Sequence, residues 1–194
     1  SRASCSSDFF LSITERYYTV TPSSDTALFL AKAFQDRKQN DKALKYLREA
    51  LAKETVAEER EKLLARIGIL EMTANNYAEA VKAFNESINV DETDDDGLAL
   101  YFLAQCYVAG SSGCGGGIGG RAVYWYACDL LNQAIPLLEK TDASVAANAR
   151  KLAGSYRACF PSGEECFFAE LNQGAGYTIG CGLAKGKRTS VRYR

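Results

Sequence analysis

The sequence predicts a mostly α-helical superhelix of antiparallel helix pairs, closed at its C-terminal end by a small β-hairpin. Three observations carry this. Apolar residues recur at helical spacing in successive pairs of segments, and small residues return at matching places in each pair. After Pro161 the helical period fades, and two short runs rich in β-branched and aromatic residues follow. With 194 residues, 47% of them hydrophobic and 24% charged, the chain is long enough to bury a core and has an ordinary globular balance.

Taken in order, Phe9–Tyr18, ending before Pro22, reads as the second helix of a preceding repeat. Residues 1–22 are therefore expected to be the end of a truncated repeat, with more of the array upstream. Leu28–Leu51 reads as two helices around a turn at Gln39, Asn40 and Asp41, with Leu30, Ala31 and Phe34 on one apolar face and Ala43, Leu44, Leu47, Ala50 and Leu51 on the other. The pattern returns with Leu64, Ile67 and Gly68, a turn at Asn75–Asn76, then Tyr77, Ala80, Phe84 and Ile88. Thr55 with Glu58, and Asn76 with Glu79, have the spacing of helix-starting capping boxes. A third pair, Leu100, Leu103, Ala104 and Tyr107 with Ala127, Leu131, Ala134 and Leu138, is split by a glycine-rich stretch at 110–120, expected to be a flexible insertion. Ala149, Leu152, Ala153 and Tyr156 mark a fourth first helix, so the array is expected over residues 23–160.

Ala43 and Ala80 lie 37 residues apart, and Ala80 and Ala127 lie 47 apart. These are a period of about 34 residues plus three extra in the Glu54–Lys62 region, and then plus the glycine stretch. The set Leu30, Ala31, Phe34, Ala43, Leu47, Ala50, then Ile67, Gly68, Tyr77, Ala80, Phe84, then Leu103, Ala104, Tyr107, Ala127, Leu131, Ala134 resembles the tetratricopeptide-repeat (TPR) family. The chain departs from it at Ala27, where the family favours tryptophan, and at Glu71, where it favours an aromatic residue.

Residues 161–194 are expected to form a short helix and a hairpin cap. Ser162 and Glu165 can cap a helix at Glu164–Leu171, and Tyr177–Leu183 and Arg188–Tyr193 read as strands joined at Ala184–Lys187. The run from Phe160-Pro161-Ser162 to Gly176-Tyr177-Thr178-Ile179-Gly180 resembles the C-terminal end of certain bacterial cell-envelope TPR proteins, except that Cys181-Gly182-Leu183 stands where those carry a tryptophan. That resemblance implies an envelope or periplasmic scaffold.

Several chemistries are excluded or disfavoured. The chain has no histidine, which removes the usual hydrolase triads and mixed zinc sites. Gly115-x-Gly117-x-x-Gly120 follows a helix, not a strand, so it is not a dinucleotide site. The acidic cluster Asp91, Glu92, Asp94, Asp95 and Asp96 lacks the calcium-loop spacing, and Asp95 or Asp96 is expected as a helix N-cap. A formal net charge of -1 gives no reason to expect nucleic acid, and no apolar run reaches the ~18 residues of a membrane-spanning helix. No cofactor is expected. Of seven cysteines, Cys106 and Cys128 fall on helices. Cys159 with Cys166, and Cys114 with Cys128, are conceivable disulfides in an oxidising compartment, while Cys114 reads as a lone thiol in the exposed glycine loop.

The TPR resemblance implies that function lies on the concave face, lined by the first helix of each pair. Its positions carry over to Leu28, Lys32 and Gln35, then Lys62, Arg66 and Ile69, then Tyr101, Gln105 and Val108, then Arg150 and Arg157. Lys62 and Arg66 match basic positions that hold a peptide carboxylate in family members, but Leu28 stands where that clamp needs a lysine. The expected function is a non-catalytic interaction scaffold, with a cationic and aromatic groove for an extended or helical acidic peptide of an unknown protein. Two alternatives remain open: a subunit assembling through the hairpin edge, and a substrate-holding appendage of an upstream enzyme.

Overall fold

The computed structural model describes residues 2–90 and 97–194, with side chains described from residue 8 onward in the first helix. In chain order it contains α1 (Arg2–Val20), α2 (Ser24–Asp36), α3 (Asn40–Leu51), α4 (Ala57–Thr73), α5 (Tyr77–Val90), α6 (Leu98–Ala109), α7 (Ile118–Thr141), α8 (Ala143–Ala158) and α9 (Gly163–Phe168), then strands β1 (Gly176–Thr178) and β2 (Arg188–Ser190). Adjacent helices pack as α2 on α3, α4 on α5 and α6 on α7, with α8 on α7 as the start of the next pair.

The turn inside each of the first two pairs is built the same way. Gln39 N–H donates to Phe34 C=O at 2.9 Å and Lys38 N–H to Gln35 C=O at 2.8 Å, with Lys38 at φ 58. Asn76 N–H donates to Glu71 C=O at 2.8 Å and Asn75 N–H to Met72 C=O at 3.0 Å, with Asn75 at φ 62. This left-handed closure answers the carbonyls left open at a helix end and sends the next helix back antiparallel. Ser23 and Asp142 cap α2 and α8 by accepting N–H bonds two or three residues on.

Small residues set the spacing. Ala31 and Ala104 on first helices and Ala43, Ala80 and Ala127 on second helices are all at most 1% exposed. Gly68 is the tightest case: a Cβ there would lie 2.6 Å from the Phe84 ring, which is itself wholly buried and stacked on Phe102 at 5.6 Å. The apolar core forms two clusters that meet at α5, where Ala83 belongs to the first and Ala80 and Phe84 to the second. Glu71, where the family favours an aromatic, is buried at 3% exposure. Its carboxylate is satisfied by Arg48 of α3 and by the Asn76 amide at 2.9 Å, as a buried charge requires.

Some helix starts differ from the sequence reading. Thr55 and Glu58 do not form the capping box. Val56 is the N-cap of α4, and Glu54 Oε1 accepts from the N–H groups of Thr55 and Val56 at 2.9 and 3.0 Å, so the carboxylate comes from upstream. The Asn76 amide is drawn to Glu71. The acidic cluster lies outside the described residues, and the N-cap of α6 is Gly97, at φ 65, where a Cβ would meet Ala134 O at 2.7 Å.

The glycine stretch is shorter and better held than an eleven-residue flexible insertion. Helix α6 runs to Ala109, residues Ser112–Cys114 form a single 3-10 turn, and α7 begins at Ile118, so Gly119 and Gly120 are helical. Cys114 is not a lone thiol: it is disulfide-bonded to Cys181. The pairs Cys114–Cys128 and Cys159–Cys166 are not formed, since Cys128 and Cys166 are buried free thiols and Cys159 is free. Burial pushes Cys106 and Cys128 up to about 11. Gly110 and Gly182 admit the closeness of the two segments, with a Cβ at Gly110 falling 2.3 Å from Leu183 and one at Gly182 falling 3.2 Å from Cys114 Sγ.

The C-terminal cap is a helix and a hairpin, with strands shorter than the sequence suggested. Gly176, Tyr177 and Thr178 face Ser190, Thr189 and Arg188 in an antiparallel ladder, and residues 179–187 make the connection. The hairpin is fixed to α7. Trp125, fully buried, donates from Nε1 to Arg192 C=O at 2.8 Å and meets the Tyr177 ring edge-on at 5.3 Å. Thr189 donates to Asp129 at 2.6 Å, and Arg192 ion-pairs with Asp129. Ser162 and Glu165 form the capping box of α9, as the sequence indicated, and Glu165 also pairs with Arg121 of α7. The Arg121 guanidinium, with the Ser162 N–H, lowers the Glu165 carboxyl to about 2.

Three outcomes follow from these contacts. Gly68→Ala should destabilise the fold by up to about 2 kcal/mol, overpacking of about 1–3 kcal/mol being offset by about 1 kcal/mol of helix propensity; the urea midpoint reads this. Reducing Cys114–Cys181, which closes a loop of 67 residues, should lower the unfolding free energy by about 2–4 kcal/mol in matched urea titrations with and without a dithiol. A depressed carboxyl contributes stability above its unfolded pKa that is lost as pH falls through the folded one, so the Arg121–Glu165 contribution should disappear between pH 4.5 and about 2. Fluorescence of Trp125, the single tryptophan, should report the change, and Glu165→Gln should flatten the profile in that window.

Candidate peptide-binding groove

The first helices α2 and α4, with the start of α6, enclose a cavity of about 350 Å³. Leu28, Ile69 and Leu98 give it apolar walls, Lys62 and Arg66 stand on it as cations, and Glu54, Glu59 and Glu61 form an acidic side. The helical period explains the grouping. Lys62, Arg66 and Ile69 are successive turns of one face of α4, and Leu28 lies on the face of α2 turned towards it. Ile67 and Leu70, on the other side of α4, are buried in the core.

The two cations differ in availability. Lys62 donates to Glu58 at 2.7 Å and to Glu59 at 2.9 Å, one turn earlier, and these bonds raise its pKa. Its charge is already answered locally. Arg66 is exposed and, among the described residues, has neither hydrogen bond nor ion pair. It is the cation of this cavity that an incoming anion can engage without breaking an existing pair.

The other sequence-derived positions are spread along the array. Lys32 is exposed and lines a separate groove of about 340 Å³ between α1 and α2, with Phe10, Phe29 and Asp36. Gln35 is half-buried on α2. Tyr101 is half-buried, its ring tilted on Phe102 at 5.2 Å, and Gln105 turns its amide back to the Tyr101 C=O at 3.3 Å. Arg150 ion-pairs with Glu139 and Arg157 donates to Asn132 at 3.2 Å, so both reach sideways to α7. Thus Leu28, Lys62, Arg66 and Ile69 share one cavity, and Lys32, Arg150 and Arg157 do not line it. Leu98 was not singled out in the sequence. It precedes the recognisable face of α6, and only the packing of α6 against α4 brings it in.

A larger cavity of about 580 Å³ lies at the C-terminal ends of α6 and α8, lined by Val108, Arg121, Tyr124, Cys159, Arg194 and the glycine stretch. Arg121 is committed to Glu165 there. The hairpin is packed on α7 through β2, and β1 pairs only with β2 among the described residues. Among those residues, no three His, Cys, Asp or Glu side chains are grouped as metal ligands, and no helix is long and apolar enough to cross a membrane.

No protein-family model matches the chain, and no curated protein does. A search of solved structures finds a Podosopora anserina protein assigned as a kinesin light chain with nearly identical TPR-like repeats. It is 16% identical, covers 79% of this chain and 82% of its own, and superposes with a TM-score of 0.52. At that identity the likeness speaks to architecture alone. With the paired helices, the repeated left-handed turns and the recurring small residues, it shows a TPR-like helical-repeat fold carrying a two-stranded C-terminal hairpin.

Proposed function

We propose that this chain is a non-catalytic scaffold that holds a peptide or protein segment along its first helices. The observation that carries this reading is the cavity between α2, α4 and α6, where Leu28, Ile69 and Leu98 line the same space as Arg66, which has no hydrogen bond or ion pair among the described residues. TPR-like repeats generally serve as protein-binding surfaces, and stacked first helices offer a long groove with no chemistry of its own. The ligand that suits the site is an extended or helical peptide with an acidic group for Arg66 and an apolar side chain for the Leu28–Ile69 wall. Tyr101 and Gln105 on α6, Lys32 and Gln35 on α2, and Arg150 and Arg157 on α8 extend the proposed contact along the array. Lys62 acts as a second cation that a ligand carboxylate reaches by exchanging with Glu58 or Glu59.

The resemblance of the C-terminal segment to cell-envelope TPR proteins is also kept as a proposal. Cys114–Cys181 supports it, since disulfides persist in oxidising compartments.

The groove reading is tested by selecting binders from a random peptide library on the immobilised chain. Enriched peptides should combine an acidic with an apolar position. Arg66→Glu should weaken them about tenfold to a hundredfold with unchanged circular dichroism. Absence of enrichment, or equal binding to Arg66→Glu, would remove the assignment.

A further inference from the structure

Resting on the groove reading, we infer that the cavity between α2, α4 and α6 selects an ordered dipolar segment, an extended peptide whose acidic residue stands between an apolar residue and a basic one. The lining carries an excess of negative charge. Three carboxylates, Glu54, Glu59 and Glu61, stand against two cations, Lys62 and Arg66. A ligand that brought an acidic group alone would enter a site already more negative than positive, and like charges brought together oppose binding. A ligand that also brings a cation removes the mismatch.

The hydrogen bonds single out the carboxylate that can take this cation. Glu54 Oε1 accepts from the Thr55 and Val56 N–H groups, and Glu61 already has a partner. Glu59 accepts from Lys62 at 2.9 Å, and Lys62 also donates to Glu58 at 2.7 Å. Both glutamates suit the first turn of α4, where carboxylates favour the helix dipole. Glu59 lines the cavity and Glu58 does not. Glu58 can therefore keep Lys62 while Glu59 turns to a ligand, and no charge is left unpaired. The Glu59 side chain is 51% exposed, so the exchange breaks only a solvent-screened pair.

The helical period then fixes the order. Glu59 and Arg66 are seven residues apart. At about 100° per residue they return to within ~20° of each other, about 10.5 Å apart along α4. Ile69, half-buried, lies about 4.5 Å beyond Arg66 on the same face. The row reads anion, cation, apolar, so a complementary ligand reads cation, anion, apolar. Two turns of a ligand helix, a cylinder about 10 Å across, would fill on the order of 800 Å³, well beyond the cavity of about 350 Å³. An extended chain advances about 3.3 Å per residue, so basic and acidic residues about three positions apart match Glu59 and Arg66. The apolar residue follows about one or two positions beyond the acidic one. Either chain direction satisfies this order.

NMR titration of the isotopically labelled chain with end-capped peptides of a single composition tests this. Lys-Ala-Ala-Glu-Ala-Leu and its reverse, Leu-Ala-Glu-Ala-Ala-Lys, carry the inferred order in the two chain directions. Glu-Ala-Ala-Lys-Ala-Leu carries the two charges exchanged. One of the first two should bind at least about tenfold tighter than the third. Glu59→Lys should weaken that peptide about tenfold with unchanged circular dichroism, and binding should recover when the peptide's lysine is replaced by glutamate. Glu86→Lys, an equal charge change at an exposed position of α5, should have no such effect. If the exchanged peptide binds equally well while Arg66→Glu weakens both, the order is overturned and the groove reading stands. If no peptide binds, or binding is indifferent to Arg66→Glu, the groove reading fails and the order falls with it.

Discussion

The fold depends on how closely two helices of a pair can approach. Ala31 against α3, Gly68 against the Phe84 ring and Ala104 with Ala127 between α6 and α7 remove side-chain bulk where the axes come nearest. Everything apolar around those points can then interlock. The left-handed turns at Lys38 and Asn75 return each second helix at the angle that this spacing needs. The groove is a by-product of the same constraint. Once each second helix is pulled behind its partner, the first helices α2, α4 and α6 are left side by side, and Leu28, Arg66 and Leu98 come to share a cavity although 38 and 32 residues separate them in sequence.

The C-terminal end solves a different problem. A two-stranded hairpin is marginal by itself in water, and here it is attached to α7 by unlike interactions. The Trp125 indole bonds the Arg192 carbonyl, Asp129 collects Thr189 and Arg192, and Ile179 and Val191 are buried to 1% or less. The disulfide adds a covalent link at the far end, holding a glycine stretch that has almost no side chains with which to hold itself. Most of its glycines have no atom within contact range of a hypothetical Cβ. Order there is imposed from outside the segment.

The repeats were legible because their signal is periodic. Ala43, Ala80 and Ala127 recur in register, and the same physical requirement recurs with them. The capping box at Ser162–Glu165 was legible because both partners lie within one turn of chain. What was not legible involves distant partners. Nothing local marks Cys181 as the mate of Cys114, and a glycine-rich neighbourhood suggests mobility where a crosslink supplies rigidity. Likewise Thr55 and Glu58 had a valid spacing, yet Glu54 takes the Thr55 N–H and the N-cap of α4 falls one residue later, at Val56. For the groove, the family positions located Leu28, Lys62, Arg66 and Ile69 on suitable faces. Spacing alone did not foresee that Lys62 is engaged by Glu58 and Glu59, or that Arg150 and Arg157 turn to α7.

The covalent link between Cys114 and Cys181 also changes how the chain would bear a mechanical load. Force applied to residues on either side of the bridge passes through the sulfur atoms and bypasses the segment between them. That segment holds α7, α8, α9 and β1. Oxidised, the protein can lengthen only through the stretch from α1 to α6 and a short tail. Reduced, it would release a hidden length on the order of 220 Å, the span of 67 residues drawn out fully. The thiol state of one pair of cysteines thus sets how far the chain can be stretched.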